Sequence, residues 1–313
     1  MLSRIADSLF WLNRYMERTD GLLRAVKSNY ILSLENSPKA LHTWVPVLQS
    51  FTTISKEEIQ RIEQNTNEVL HILMLDTQNP NSLKVMIARA RENARGIQDY
   101  ITKEVWEQVN QLYHYTNNPL LEQKLISTEA VSTIDLLLQG SLLYSGIIDA
   151  TMPRSPGWSF LNLGKYIERC LLTIELSDKY FREVNYNLED DKDILYWRTL
   201  LLSLSGYELH LKHYHTTTYT RNVAEQILFN SAFPRSVNYT LKHVEKYLRN
   251  AIAQNTPLEN GELLRNFGRL YSQVQYADFE QISERGLQEY FSRVRHALIV
   301  FSKMLGETFF SYA

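Results

Sequence analysis

Tyr15-Met16-Glu17-Arg18-Thr19, near the start of the chain, returns as Tyr166-Ile167-Glu168-Arg169-Cys170 at its middle. The offset of 151 residues in a chain of 313 predicts one helical unit used twice, with a Glu-Arg pair at the same point of each copy. Working outward from the first pentad, Ile5, Leu9, Leu12, Met16, Leu23, Val26 and Tyr30 step by threes and fours, the spacing of an amphipathic helix. A second face carries Trp11, Tyr15, Arg18 and Leu22, so this helix is apolar on two sides and expected to be central.

The rest of the chain reads as further helices. Ser55-Lys56-Glu57-Glu58 has the form of a capping box, and the helix it opens is expected to run to about Leu75. Asn79-Pro80-Asn81-Ser82 is a turn and cap, followed by a long helix from Leu83 to about Tyr115 and another over 120–150. Met152-Pro153-Arg154-Ser155-Pro156-Gly157 is the clearest linker. Beyond it Trp158 to about Val184 answers the first helix, Trp197 answers Trp44, and Phe233-Pro234-Arg235-Ser236-Val237 answers Asn79-Pro80-Asn81-Ser82-Leu83. The fold expected is all-α, a helical bundle of about ten helices with an internal two-fold pseudo-repeat. Its halves are 1–152 and 157–313, joined by linker 153–156 within a single domain over 1–313.

Composition narrows the function classes. Thirty-three basic and 35 acidic side chains nearly cancel, so no long-range attraction to nucleic acid or an anionic membrane is expected. Apolar runs such as Leu136-Leu137-Leu138 are too short to span a bilayer, and the N-terminus does not read as a signal peptide. The single cysteine, Cys170, rules out an internal disulfide and fits a cytoplasmic location. Mid-helix among apolar neighbours, it reads as a small core residue rather than a reactive thiol. His210, His213 and His215 do not share one helix face, and Glu68-Val69-Leu70-His71 lacks the second Glu-x-x-His of a di-iron bundle, so no metal and no cofactor is expected. Phosphate-binding loops, dinucleotide fingerprints and nucleophile elbows are absent from the sequence.

The site candidates are therefore the charged pairs. Adjacent helical residues point about 100° apart, so Glu17 and Arg18 do not simply neutralise each other. An arginine among aromatic side chains needs a carboxylate, a carbonyl or a stacked ring, and the expected partners are Glu168 for Arg18 and Glu17 for Arg169. Two readings stand: a cross-brace between the halves, or a polar pocket that grips a carboxylate or phosphate. A second cluster, Arg89-Ala90-Arg91-Glu92-Asn93-Ala94-Arg95, places Arg91 and Arg95 one turn apart, suited either to bidentate anion binding or to a solvated face.

Several blocks together resemble a bacterial family, the alpha-E proteins, all-helical and named for a Glu-Arg motif. They are Leu2-Ser3-Arg4-Ile5-Ala6 with Phe10 to Arg18, Ala90 to Arg95 with Trp106 to Asn110, Gly157 to Arg169, and Phe233 to Val237. Asn13 stands where that family tends to have glycine, and Thr19 and Cys170 where alanine is usual. The resemblance implies genes that travel with a circularly permuted ATP-grasp peptide ligase, often with a transglutaminase-like peptidase. The implied role is a non-catalytic binding or scaffold partner of that ligase in peptide synthesis or modification. The competing expectation is an enzyme on a helical scaffold, with Glu17 or Glu168 as general acid or base. The ligand-contacting candidates are Arg14, Tyr15, Glu17, Arg18, Arg91, Glu92, Asn93, Arg95, Tyr166, Glu168, Arg169 and Arg235, toward a protein partner (the ATP-grasp ligase) or a peptide or anionic ligand.

Overall fold

The computed structural model describes residues 2–34, 44–189, 192, 194–253 and 260–310, and of 284–285 the backbone alone. Among them there is no strand; sixteen α-helices, one π-helical turn and one 3-10 turn account for the regular structure. The expectation of about ten helices was low because three stretches read as continuous are broken. The stretch from Ser55 forms α3 (Lys56–Ile62), α4 (Thr66–Leu70) and a π turn over His71–Leu75, which follow α1 (Ser3–Ser33) and α2 (Val45–Phe51). The stretch from Leu83 forms α5 (Leu83–Gly96) and α6 (Lys103–Thr116), parted where Ile97 leaves the helical region at φ −133° and ψ 27°. The third gives α7 (Leu121–Leu125) and α8 (Ala130–Thr151).

The chain divides into two compact units, the first Trp11–Pro153 and the second Met1–Phe10 with Arg154–Ala313. The division falls between Pro153 and Arg154, and the first ten residues belong with the C-terminal part.

In the first unit α5 packs on α6 and α6 on α8. Three polar contacts lace α1 to α8: Tyr144 donates to Asn13 Oδ1 at 2.7 Å, Ser141 to Asp20 at 3.5 Å, and Lys27 pairs with Asp135 at 2.6 Å. The α8 partners descend as the α1 residues rise, so the two helices run antiparallel. Trp44, Phe51, Leu83, Ile87, Val105 and Val109 are buried in the apolar part of this interior. Over its most apolar 18 residues α8 has mean hydropathy 1.4, long and apolar enough to cross a membrane by length and composition. A core helix of a soluble protein meets the same test. Leu136, Leu142 and Leu143 are about half exposed on it.

The second unit is organised around α9 (Pro156–Glu183), apolar on nearly every side as a buried helix must be. Its largest contact is with α13 (Val237–Ala253), and it also meets α16 (Leu287–Phe309) and α10 (Ile194–Ser203). Phe160 meets Phe309 at 5.2 Å, Phe181 meets Phe291 at 5.8 Å, and Arg295 pairs with Glu175 at 2.9 Å, so α9 and α16 are antiparallel. α14 (Asn260–Gln275) packs on both α13 and α16. The short helices α11 (Tyr207–His213), α12 (Tyr219–Phe229) and α15 (Phe279–Arg285) complete the unit.

Ser55 accepts from the Glu58 amide at 3.2 Å, as a capping box requires. Glu58 does not reach back: its carboxylate takes two donors from Arg61 instead, because a charged donor outcompetes a neutral amide. Cys170 is fully buried, and that burial pushes its thiol up to about 12.

Candidate functional site

Within the first unit, the three-four step of α1 brings Trp11, Tyr15 and Arg18 to one face. Trp11 and Tyr15 lie 5.5 Å apart, the Arg14 guanidinium sits 4.8 Å from the Trp11 ring, and Arg89 of α5 sits 5.9 Å from Tyr15. Arg18 donates from Nε to Asn81 Oδ1 at 3.1 Å and from Nη2 to the Ser50 carbonyl at 3.3 Å, and lies 5.4 Å from the Phe51 ring. One guanidinium thus ties α1 to the C-terminal end of α2 and to the turn before α5. That turn is pre-set: Asn79 Oδ1 accepts from the Asn81 amide, and Ser82 caps α5 by accepting from the Val85 amide at 3.3 Å. Glu17 is 5% exposed, so its carboxylate does not face water.

The arginine-rich turn of α5 does not converge. Arg91 donates to Asn110 Oδ1 at 2.8 Å and lies 4.4 Å from the Tyr113 ring and 5.6 Å from Trp106, so it is engaged by α6. Glu92 stands 3.5 Å from Arg91 Nη1, and the Asn93 side chain donates from Nδ2 back to the Arg89 carbonyl. Arg95 is exposed, with no partner among the described residues. Arg91 and Arg95 therefore do not form one clamp.

Within the second unit, the seam between α9 and α13 is the denser site. Tyr239, His243, Lys246 and Tyr247 line one face of α13 at steps of four, three and one, opposite Lys165, Tyr166 and Arg169 on α9. Tyr239 stacks on His243 at 4.2 Å, His243 on Tyr166 at 4.6 Å, and Tyr166 on Tyr247 at 5.9 Å. Arg169 lies 5.4 Å and Lys165 5.8 Å from the Tyr166 ring, and Lys246 lies 5.4 Å from Tyr247. Arg169 also donates to the Pro234 carbonyl at 3.4 Å, and Thr173 to the Arg235 carbonyl at 2.9 Å. Ser236 accepts from the Tyr239 amide at 3.0 Å at the start of α13. Glu168 is 2% and Arg235 6% exposed.

His243 Nδ1 stands 2.9 Å from the Tyr239 carbonyl, which fixes the proton on Nδ1 and leaves Nε2 with a lone pair. Its pKa is lowered, first by burial and then by Lys246, Arg169 and Lys242, against the backbone hydrogen bond that raises it. The ring is neutral at pH 7 in positively charged surroundings.

Reading the sequence missed Tyr239, His243, Lys246 and Tyr247 as a site. Their helical spacing is visible in the sequence, but no recognised motif marks the segment. Ser50, Phe51 and Asn81 carried no signal, since packing alone brings them to Arg18. Of the histidine run, His210 is buried with Nδ1 2.7 Å from Gln226 Oε1, and His213 is exposed on its own helix. Among the described residues no three metal-ligating side chains cluster.

The family model described as a predicted alpha-helical domain with a conserved ER motif matches residues 1–310. The chain belongs to the Alpha-E family. Two of its Glu-Arg dipeptides are the pairs at 17–18 and 168–169, both on the long helices α1 and α9. Among curated proteins this Alpha-E chain is 21% identical over 307 residues to an uncharacterized protein of Mycobacterium bovis, and 20% identical to one of Mycobacterium tuberculosis. Each match covers 91% of this chain and 34% of the relative, so the chain spans about a third of the length of the curated relatives it matches. No solved structure matches it.

Proposed function

We propose that the protein is a non-catalytic binding and scaffold component of a bacterial peptide synthesis or modification pathway, and that it engages an ATP-grasp peptide ligase. The observation that carries this reading is how the motif side chains are spent. Arg18 and Arg169 brace turns through backbone and amide oxygens, both glutamates are buried, and what reaches the surface is a set of cationic and aromatic faces. Such faces suit recognition, with arginine and tyrosine the side chains that commonly anchor interfaces. The longer relatives add support, because there the Alpha-E region is continuous with roughly twice its own length of further chain.

The reading includes an internal duplication. Ser82 and Ser236 cap α5 and α13 in the same way, Arg18 and Arg169 each reach the turn that precedes those caps, and Trp44 and Trp197 are both buried. The enzyme alternative needs a carboxylate that can touch substrate, and burial of Glu17 and Glu168 speaks against it.

The test is co-purification of the protein with the ATP-grasp ligase encoded beside it. A complex at micromolar concentration, with ligase activity that depends on this protein, is the expected result. A ligase that works unaided and forms no complex refutes the reading. Loss of a measurable turnover on Glu17→Gln, with melting temperature unchanged, would establish the enzyme alternative.

A further inference from the structure

We propose that the seam between α9 and α13 binds an acidic peptide, whose carboxylates meet the lysine rim while the flat parts of its chain lie against the exposed edges of Tyr239 and His243. This extends the binding reading to a ligand class and does not depend on the ligase partnership.

The protein carries net charge −2, yet Lys165 and Arg169 on α9 and Lys242 and Lys246 on α13 converge on one ring stack. On the outer sides of these helices Glu245 pairs with Arg249 at 2.7 Å and Glu175 with Arg295 at 2.9 Å. Lys242 and Lys246 are exposed and form no ion pair among the described residues. Lys242 and Lys246, one helical turn apart, repel each other, and a carboxylate placed between them relieves that repulsion.

The rings supply shape. The four-membered stack is pinned at one end by the Ser236 cap and along its length by the Arg169 and Thr173 bonds to the turn at 234–235, so it is ordered before any ligand binds. Tyr239 and His243 are half-buried and offer edges to solvent, whereas Tyr166 and Tyr247 are buried behind them.

The histidine supplies a signature. With Nδ1–H held by the Tyr239 carbonyl, only Nε2 can take a proton, and the surrounding cations oppose it. A carboxylate placed on the lysine rim offsets those cations and favours protonation. Ligand binding and proton uptake are then linked, so affinity rises as pH falls from about 7.5 to 6. The charged groups in this linkage are Lys165 and Arg169 from α9, Lys242 and Lys246 from α13, and on the outer side of α13 the Glu245–Arg249 pair.

The experiment uses the whole protein with triglutamate as probe, trialanine as neutral control and inorganic phosphate as competing anion. Calorimetry follows affinity, and NMR of the His243 imidazole follows its titration. Triglutamate is expected to bind, to lose affinity with salt, and to raise the His243 pKa, while trialanine does not bind. Lys242→Ala with Lys246→Ala, both at exposed positions, is expected to weaken binding at least tenfold. His243→Gln is expected to remove the pH dependence while leaving binding at pH 7.5 within threefold. Absence of triglutamate binding at millimolar concentration, indifference to the double lysine variant, or phosphate binding as tightly as triglutamate would each overturn the assignment. A failed ligase complex alongside intact triglutamate binding would sink the partnership and leave this site standing.

Discussion

Gly164→Ala is the sharpest perturbation the structure offers. Gly164 lies on α9 where the α1 backbone passes, and a methyl built there would stand 2.1 Å from the Phe10 carbonyl oxygen and 3.0 Å from its carbon. Carbon–oxygen contacts between packed helices run about 3.3–3.6 Å, so the two backbones must part by more than about 1 Å. Both neighbours are main chain, and no side-chain rotamer can absorb the shift. Overpacking of this kind costs about 1–3 kcal/mol, and rigid backbone places it at the upper end. Alanine recovers about 0.8–1.0 kcal/mol of helix propensity, leaving a net loss of about 2 kcal/mol. At about 2–4 °C per kcal/mol for a chain of this order, the melting temperature should fall by about 4–8 °C. Gly146→Ala on α8 is the matched control, because nothing lies within 4 Å of its added methyl. There the propensity term acts alone and melting should rise by about 2–4 °C. Scanning calorimetry on both variants decides the matter: a Gly164→Ala protein as stable as the parent would refute the close approach of α9 to α1.

Other expectations follow from single contacts. Asn13→Ala strands the buried Tyr144 hydroxyl and should cost about 1–3 kcal/mol, while Asn13→Ala with Tyr144→Phe should cost less than the two single changes together, measured by denaturant unfolding. Cys170, with its thiol pushed up to about 12, should have about one thiolate in ten thousand at pH 8 and resist a maleimide until guanidinium unfolds the chain. His210 is held below the ordinary histidine range, first by burial, so the unfolded chain takes up its proton before the folded one does. Its stability contribution is present above about pH 6.5 and is lost as pH falls further, by at most about 1.4 kcal/mol per pH unit, a slope that His210→Gln should remove from the melting profile.

The helices were legible because burial imposes its period on the sequence. The stripe Leu287, Phe291, Val294, Leu298, Phe301, Leu305 is α16, and Trp158 to Val184 lies within one residue or two of α9. Breaks were harder. Gly96 is a residue that ends helices, but the apolar Ile97 and Ile101 beyond it keep the spacing of α5 going, so the stop is masked. The charged pentads were legible as a recurrence, but Arg18 and Arg169 find partners in the turns at 79–82 and 233–236 through tertiary contact. Spacing along one helix carries no record of such a partner. The ring stack of α13 sits between these cases: its spacing could be read, while its facing side, Tyr166, belongs to a helix some 70 residues earlier.

The chain passes between its two compact units twice, at 10–11 inside α1 and at 153–154 in the exposed stretch after α8. Phe10 rests 5.1 Å from Phe310, and Ile5, Ala6 and Leu9 are buried beside it in sequence, so the opening segment is an integral wall of a body otherwise built from residues far downstream. A protease that severs the chain at Arg154 would therefore leave a nicked but undissociated molecule, its amino-terminal fragment still moored by its first two and a half turns. Equally, a gene truncated to begin at Arg154 would encode a body with an open slot where that segment belongs, and supplying residues 2–10 as a free peptide is what should fill it.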